Sequence, residues 1–376
     1  MCSSDLTGSA TSGLQMSVTG EFRIQEGQAL LGDDHVLTKD LAGVVVVEAG
    51  RVRVEDAHGA APSIPFWRGE APGRTRELSD EVSQLREGIA ASANPVAMLI
   101  EECGLNALGA QQAVEYVQAG ARSLGAVPSQ KHVIAERFFD EGGGMQLVIH
   151  SPFGSRINKA WGLALRKRFC RTFNFELQAA ATDDGLNLAL SDQHSFPLET
   201  VFQFLSPVTV TDVLTQALVA APMFGARWKW NASRALAVPK FAGGRKVPPP
   251  IQRMRADDLL AAVFPDQAAC AENLTGEIRI PKHPLVDETI SNCLHEAMDI
   301  DGLITILRGI GDGSIKTSAA DTPEPSPFCH ELLNANPYAY LDDAPLEERR
   351  ARAVQLRRTL PPADADRKST RLNSSH

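Results

Sequence analysis

Two strand-turn-strand signals with a single amphipathic helix between them constrain this chain most. HVIAERFFD and MQLVIHS are joined through EGGG, and FNFELQAAAT runs through Asp183-Asp184-Gly185 into LNLALSD. Glycine and aspartate supply turn backbone, while β-branched and aromatic neighbours suit a pleated, half-buried surface, so each pair is expected to form a hairpin. Between the hairpins, Ile157, Ala160, Trp161, Ala164, Leu165 and Phe169 fall on one stripe of a helix over residues 155–171. The expected fold class is α+β: a small β-barrel or curled antiparallel sheet with packed helices, then a mostly helical C-terminal region.

Residues 7–70 read as a β-rich segment. Its firmest signal is VVVVEAGRVRVED, two β-branched runs turning at Gly50. A core over 71–197 opens with helical periodicity at Leu78, Val82, Leu85 and Ile89, with Ser79 and Asp80 near its start. Helices are also expected at about 95–102 and 110–124. Residues 198–310 read as helical around a basic loop, GGRKVPPP, whose prolines break the pattern. GDGSIKTSAADTPEPSP, residues 311–326, has the composition of a flexible linker. A helical segment is expected over 327–358 and a disordered tail over 359–376.

At 376 residues the chain is long enough for two or three compact units. Neither an apolar run of membrane-spanning length nor a secretory leader pattern is visible, so a cytoplasmic location with no membrane partner is the expectation. The six cysteines lack a C-x-x-C pair, which suggests free thiols rather than a disulfide framework or a zinc ribbon. Cys293, His295 and His283 offer metal-ligand types, but positions 293 and 295 face apart on a helix, and no metal is expected. MCSSDL at residues 1–6 and DRKSTRLNSSH at 366–376 match translations of a short-read sequencing adapter. On that reading both tails are artefacts and the chain is an open-ended piece of a longer protein.

Charge is distributed unevenly. Residues 227–255 hold eight Lys or Arg without one Asp or Glu, in a chain whose formal net charge is -9. A second acid-free run, 142–175, holds six more. Aromatics are interleaved in both, and cations with flat rings suit the phosphates and unstacked bases of a single strand better than a duplex groove. The candidate contacts are Arg156, Lys159, Arg166 and Lys167 on the helix, with Arg227, Lys229, Arg234, Arg245, Lys246, Arg253 and Arg255 in the longer run. Each could instead belong to a solvated face or an internal ion-pair network. Trp161, on its apolar stripe, reads as core. Trp67, beside Arg68 in PFWRG, sits where a ring can project for stacking, or pair with an arginine. On a helix Trp228 and Trp230 point about 200° apart, so one surface cannot bury both.

Motifs for catalysis are missing from this sequence. It has no G-x-x-x-x-G-K-[S/T] phosphate loop, no Asp-Glu-Ala-Asp or Asp-Glu-x-His box, and no G-x-S-x-G elbow. Gly243-Gly244-Arg245-Lys246 resembles a phosphate cradle, but the prolines that follow remove the helix start such a loop needs. The adjacent carboxylates Asp183-Asp184 and Asp257-Asp258 diverge on any regular element, and the first pair occupies a turn where Asp is expected.

Long blocks carry a family likeness. IHSPFGSRINKAWGLALRKRF, FELQAAATDDGLNLALSDQHSFPLE, MFGARWKWNASRALAVPKFAGGRKVPPPIQRMRADDLLAAVFPDQAAC and EPSPFCHELLNANPYAYLDDAPLEERRARAV, with PFWRGEAPGRTRELSDEV, resemble the Lhr family of superfamily 2 DNA helicases. The likeness covers about residues 50–358 and departs over 14–47. It implies the DEAD/H-associated region that follows two motor domains and a winged helix. It further implies an ATP-driven parent that uses Mg, moves on single-stranded DNA, unwinds duplexes or DNA:RNA hybrids, and serves DNA repair. In the family a stacking tryptophan couples this region to ATP hydrolysis; Trp67 is its candidate here, with Trp228 and Trp230 as alternatives. The expectation is a noncatalytic region without a cofactor of its own that grips the tracking strand. Its rival is a scaffold docked on the motor and winged-helix domains, and a base-excision activity is a third possibility with little in the sequence behind it.

Overall fold

The computed structural model describes residues 73–139, 144–173, 177–190, 196–268, 277–333 and 341, together with three strands nearer the N-terminus. The chain divides into two units, Met1–Ala71 and Pro72–His376. In the first, β1 (His35–Leu37), β2 (Gly43–Glu48) and β3 (Arg51–Asp56) form an antiparallel sheet in that order. Trp67 and Arg68 lie outside the described residues, as do both adapter-like tails and the helical segment expected beyond 341.

The second unit begins with three helices. α1 (Arg76–Ala91) starts where Thr75 accepts a hydrogen bond from the Leu78 amide, earlier than Ser79 and Asp80 suggest. α2 (Pro95–Cys103) and α3 (Ala107–Leu124) are each capped by an asparagine and closed by a left-handed glycine. β4 (His132–Phe139) and β5 (Met145–His150) form the first expected hairpin. α4 (Ser155–Phe173) leads to the second, β6 (Leu177–Ala181) and β7 (Gly185–Leu190). The stripe predicted for α4 is buried at all six positions, Trp161 being 1% exposed.

The central sheet has the order β10-β4-β5-β7-β6 and stays open; the expected α+β class holds, and of its two alternatives, a small barrel or a curled sheet, this sheet is not closed into a barrel. It is also mixed. β10 (Lys316–Asp321) pairs parallel with β4, which overturns the flexible-linker reading of residues 311–326. Composition misled because the polar groups that suggest a linker are used internally. Thr322 and Ser326 both donate hydrogen bonds to the carboxylate of Glu136, a buried residue of β4. A segment that satisfies a buried carboxylate gains more by ordering than its low apolar content indicates.

The turn at Asp183-Asp184 fastens the layers. Asp183 accepts from the backbone amides of Arg74 and Ser155, the latter at the start of α4, where negative charge suits the helix dipole. Asp184 is paired with Arg74 and Arg86. These carboxylates serve the fold. A 3-10 turn at Leu198–Gln203 then leads into α5 (Val210–Leu218) and α6 (Pro222–Arg234). A two-stranded hairpin, β8 (Phe241–Ala242) with β9 (Arg245–Lys246), occupies the predicted proline-marked break. Gly243 and Gly244 both have positive φ, which the two-residue hairpin turn needs. α7 (Pro249–Val263), α8 (Pro265–Ala268), α9 (Pro284–Asn292), a π-turn at Cys293–Ala297 and α10 (Ile300–Asp312) follow. A 3-10 turn at Pro327–Cys329 and α11 (His330–Leu333) end the described helices.

Candidate nucleic-acid interface

The two acid-free runs have different fates. On α4, Arg156 donates to the carbonyl oxygens of His295 and Met298, and Arg166 Nε donates to Leu177 O at 3.1 Å. Arg168 bonds Phe204 O and Arg171 pairs with Glu277. Lys159 is half-buried and has a partner. Lys167 is half-buried too; desolvation, then the neighbouring charge of Arg171, lowers its pKa. The arginines of this helix make internal bonds to β6, to the 3-10 turn after Pro197 and to the π-turn region, which leaves fewer of their donors for a phosphate than the sequence suggests.

The longer run divides at Trp228. Trp228 is fully buried, its ring roughly parallel to Phe224, and its Nε1 donates to Ala256 O at 2.8 Å, tying α6 to α7. It is core, and the stacking alternative at this residue is withdrawn. Arg227 is also buried and pairs with Glu296 at 2.8 Å, an acid supplied from outside the run. Its guanidinium is therefore engaged in an ion pair within the fold. Trp230 points the other way and is 48% exposed, as the 200° separation predicts. The Arg227 guanidinium lies over its ring at 5.0 Å and holds it.

The remaining cations gather around the end of α6, the β8–β9 hairpin and the first turns of α7. Arg234, Arg245, Lys246 and Arg255 are exposed, while Lys229 and Arg253 are half-buried. No carboxylate forms an ion pair with Arg234, Arg245, Arg253 or Arg255 among the described residues. The Lys229 ammonium has its pKa lowered by desolvation, then by the charges of Arg253 and Lys240, against one opposing carboxylate, Asp257. Like charges held this close leave the surface short of anions. Sequence reasoning missed Lys240 as a member, although it lies inside the acid-free run.

Exposed apolar side chains are set among these cations. Phe241 is 64% and Met254 51% exposed. Leu236 is 81% exposed and holds φ at +60°, a left-handed conformation that costs a branched residue on the order of 1 kcal/mol. The position just past a helix end is usually glycine. No sequence pattern flags Leu236, since its strain appears only where α6 stops.

The metal-ligand types noted in the sequence stay apart. His283 caps α9, His295 pairs with Asp301, and Cys293 is buried. The one His/Cys/Asp/Glu group of metal-holding geometry among the described residues is Glu136, His150 and Cys329, positions no sequence spacing connects.

The chain that folds this open mixed sheet and its helical layer matches the DEAD/H associated family over residues 127–329, more than half of its length, and belongs to that family. Over most of its length the chain is similar to a stretch of Lhr-type helicases. The chain is 30% identical over 315 residues to the Lhr helicase/uracil glycosylase of Escherichia coli K12, covering 81% of this chain and 19% of that protein. It is 24% identical over 312 residues to the ATP-dependent helicase Lhr-Core of Sulfolobus acidocaldarius, covering 80% of this chain and 34% of the relative. It thus spans between a fifth and about a third of the length of these relatives. Among solved structures, the Mycobacterium smegmatis helicase Lhr bound to ssDNA and AMP-PNP superposes with a TM-score of 0.60 at 26% identity, covering 73% of this chain and 34% of that one.

Proposed function

We propose that this region grips the unpaired strand of a nucleic acid for an ATP-dependent helicase, through the surface formed by α6, the β8–β9 hairpin and α7. The observation that carries this reading is the gathering of Arg234, Arg245, Arg253 and Arg255, none in an ion pair among the described residues, around the exposed Trp230 and Phe241. Phosphates relieve the repulsion among Lys229, Lys240 and Arg253, and bases stack on the rings or pack on Leu236 and Met254. The M. smegmatis relative's complex with ssDNA is consistent with it. In the parent, ATP and Mg belong to the motor domains, and the strand held here is single-stranded DNA or the DNA strand of a DNA:RNA hybrid. Service in DNA repair, in the cytoplasm, is part of the same proposal, supported by the likeness to Lhr helicases. Trp67 and Arg68 remain candidate contacts from the first unit.

Changing Lys229, Arg245 and Lys246 together to glutamate tests the proposal by fluorescence anisotropy with a labelled single strand. Four or five phosphate contacts give a slope of about −3 in log affinity against log salt. The triple variant should lose at least ~100-fold in affinity at low salt while keeping its melting temperature. A flat salt plot for the unsubstituted chain, or an unchanged affinity in the variant, sinks the reading in favour of a surface that docks on the motor and winged-helix domains.

A further inference from the structure

Between the inner strands β4 and β5 and the 3-10 turn at Pro327–Cys329, far in character from the basic surface, lies a group of side chains that nucleic-acid binding does not use. Glu136 on β4, His150 on β5 and Cys329 on the 3-10 turn are 0%, 2% and 0% exposed. Their ligating atoms all lie within 4.8 Å of one another. Three heteroatoms converge on one oxygen of Glu136, Oε2: His150 Nε2 at 2.7 Å, Ser326 Oγ at 2.6 Å and Cys329 Sγ at 3.0 Å. The other oxygen, Oε1, accepts from Thr322 Oγ1 at 2.8 Å and from the Ser326 amide at 2.7 Å. One carboxylate oxygen is thus oriented by outer hydrogen bonds and the other faces a set of nitrogen, sulfur and oxygen donors.

We propose that Glu136, His150 and Cys329 bind a divalent cation of the zinc class, with Ser326 Oγ as the fourth donor. One sulfur, one imidazole nitrogen and oxygen donors are a set that zinc accepts and that calcium or magnesium does not favour. Cys329 Sγ and His150 Nε2 are 3.8 Å apart. A tetrahedral zinc with metal–sulfur near 2.3 Å and metal–nitrogen near 2.0–2.1 Å separates such a pair by about 3.6 Å. The three separations to Oε2 open by about 0.5–0.8 Å to admit the ion. Binding releases the thiol proton of Cys329 to solvent, and His150 coordinates through Nε2 with its remaining proton on Nδ1. Carboxylate and thiolate then neutralise the dication, so the buried site carries no net charge.

The protein gains a cross-link. Residues 322–329 meet the sheet through side chains directed at Glu136, and an ion shared by β4, β5 and the 3-10 turn adds coordinate bonds that fasten that segment further. Burial with no solvent-facing ligand makes the site structural. This inference is independent of the nucleic-acid reading, and either can fail alone.

The test is metal analysis of the untagged chain purified without chelator. We expect zinc titration to saturate at one equivalent that survives desalting. The zinc X-ray absorption spectrum should give one sulfur at about 2.3 Å with nitrogen and oxygen neighbours. Replacing zinc by cobalt should produce a thiolate-to-cobalt charge-transfer band that C329S abolishes. Thr322→Ala keeps every ligand and should weaken zinc binding about 10- to 100-fold through loss of the outer hydrogen bond. Absence of retained zinc, or a bound zinc with no sulfur neighbour, overturns the proposal and leaves the cluster a hydrogen-bonded latch. The absorption measurement needs no variant, so a C329S chain that fails to fold does not protect the idea.

Discussion

α4 and the α6–α7 region begin from the same kind of sequence and end differently. Each carries an acid-free run, residues 142–175 and 227–255, that is rich in arginine and lysine and threaded with tryptophan. On α4 the helix lies between the sheet and α5, so carbonyl ends at Leu177, Phe204 and the π-turn are within reach of Arg166, Arg168 and Arg156. At α6–α7 the chain turns outward through a glycine hairpin, and the cations meet water and one another. A run of positive charge therefore reports a shortage of nearby sequence acids, while what neutralises it depends on which backbone or carboxylate the fold brings near.

That comparison can be broken most sharply at the paired tryptophans. Trp228→Ala should cost about 3–5 kcal/mol of stability in thermal or denaturant unfolding, since it removes a fully buried ring and its hydrogen bond. Trp230→Ala should leave unfolding nearly unchanged and cost about 1–3 kcal/mol of single-strand affinity. If the two swap effects, the division of the basic run at Trp228 is mistaken.

Arg166→Ala is expected to lower stability by about 1–2 kcal/mol, because the carbonyl of Leu177 loses its charged donor, with no change in affinity for the folded protein. A selective loss of binding would restore α4 as a contact surface. Leu236→Gly should move the two measurements in opposite directions. Relief of the left-handed leucine stabilises by about 0.5–1 kcal/mol, and loss of the exposed side chain weakens strand binding. A variant that is stabilised with unchanged affinity shows the strain to be incidental.

The smallest effect is a proton count. The pKa of Lys229 is lowered in the folded chain, so the folded state holds fewer protons than the unfolded one in the alkaline window between its folded and unfolded values, and stability rises with pH there. A bound phosphate favours the ammonium and raises that pKa again. Strand binding in the same window should take up a fraction of one proton, measured by calorimetry in buffers of different ionisation enthalpy, and Lys229→Met should abolish it. Uptake that persists in the variant places the titrating group elsewhere.

Much of the fold is legible locally. The two hairpins, the apolar stripe of α4, and the helices α1 to α3 follow from periodicity and from turn residues such as Asp183-Asp184-Gly185, because each depends on neighbours a few positions away. The opposed directions of Trp228 and Trp230 follow from helix geometry alone. Long-range pairing did not yield to the same reasoning: β10 joins β4 across 184 positions between Arg137 and Asp321, and its composition looks like a linker.

By itself, then, the order of residues determined the local elements, the DEAD/H-associated family to which the chain belongs, and the place along it where cations and rings concentrate. Only the tertiary structure decided that Arg227 and Trp228 turn inward while Trp230 and Arg245 stay exposed. It alone brought Glu136, His150 and Cys329 to one point. The physical reason is the same in both cases: hydrogen bonding and charge compensation are satisfied by whatever lies closest in space, and closeness in space between distant segments is a property of the packed chain.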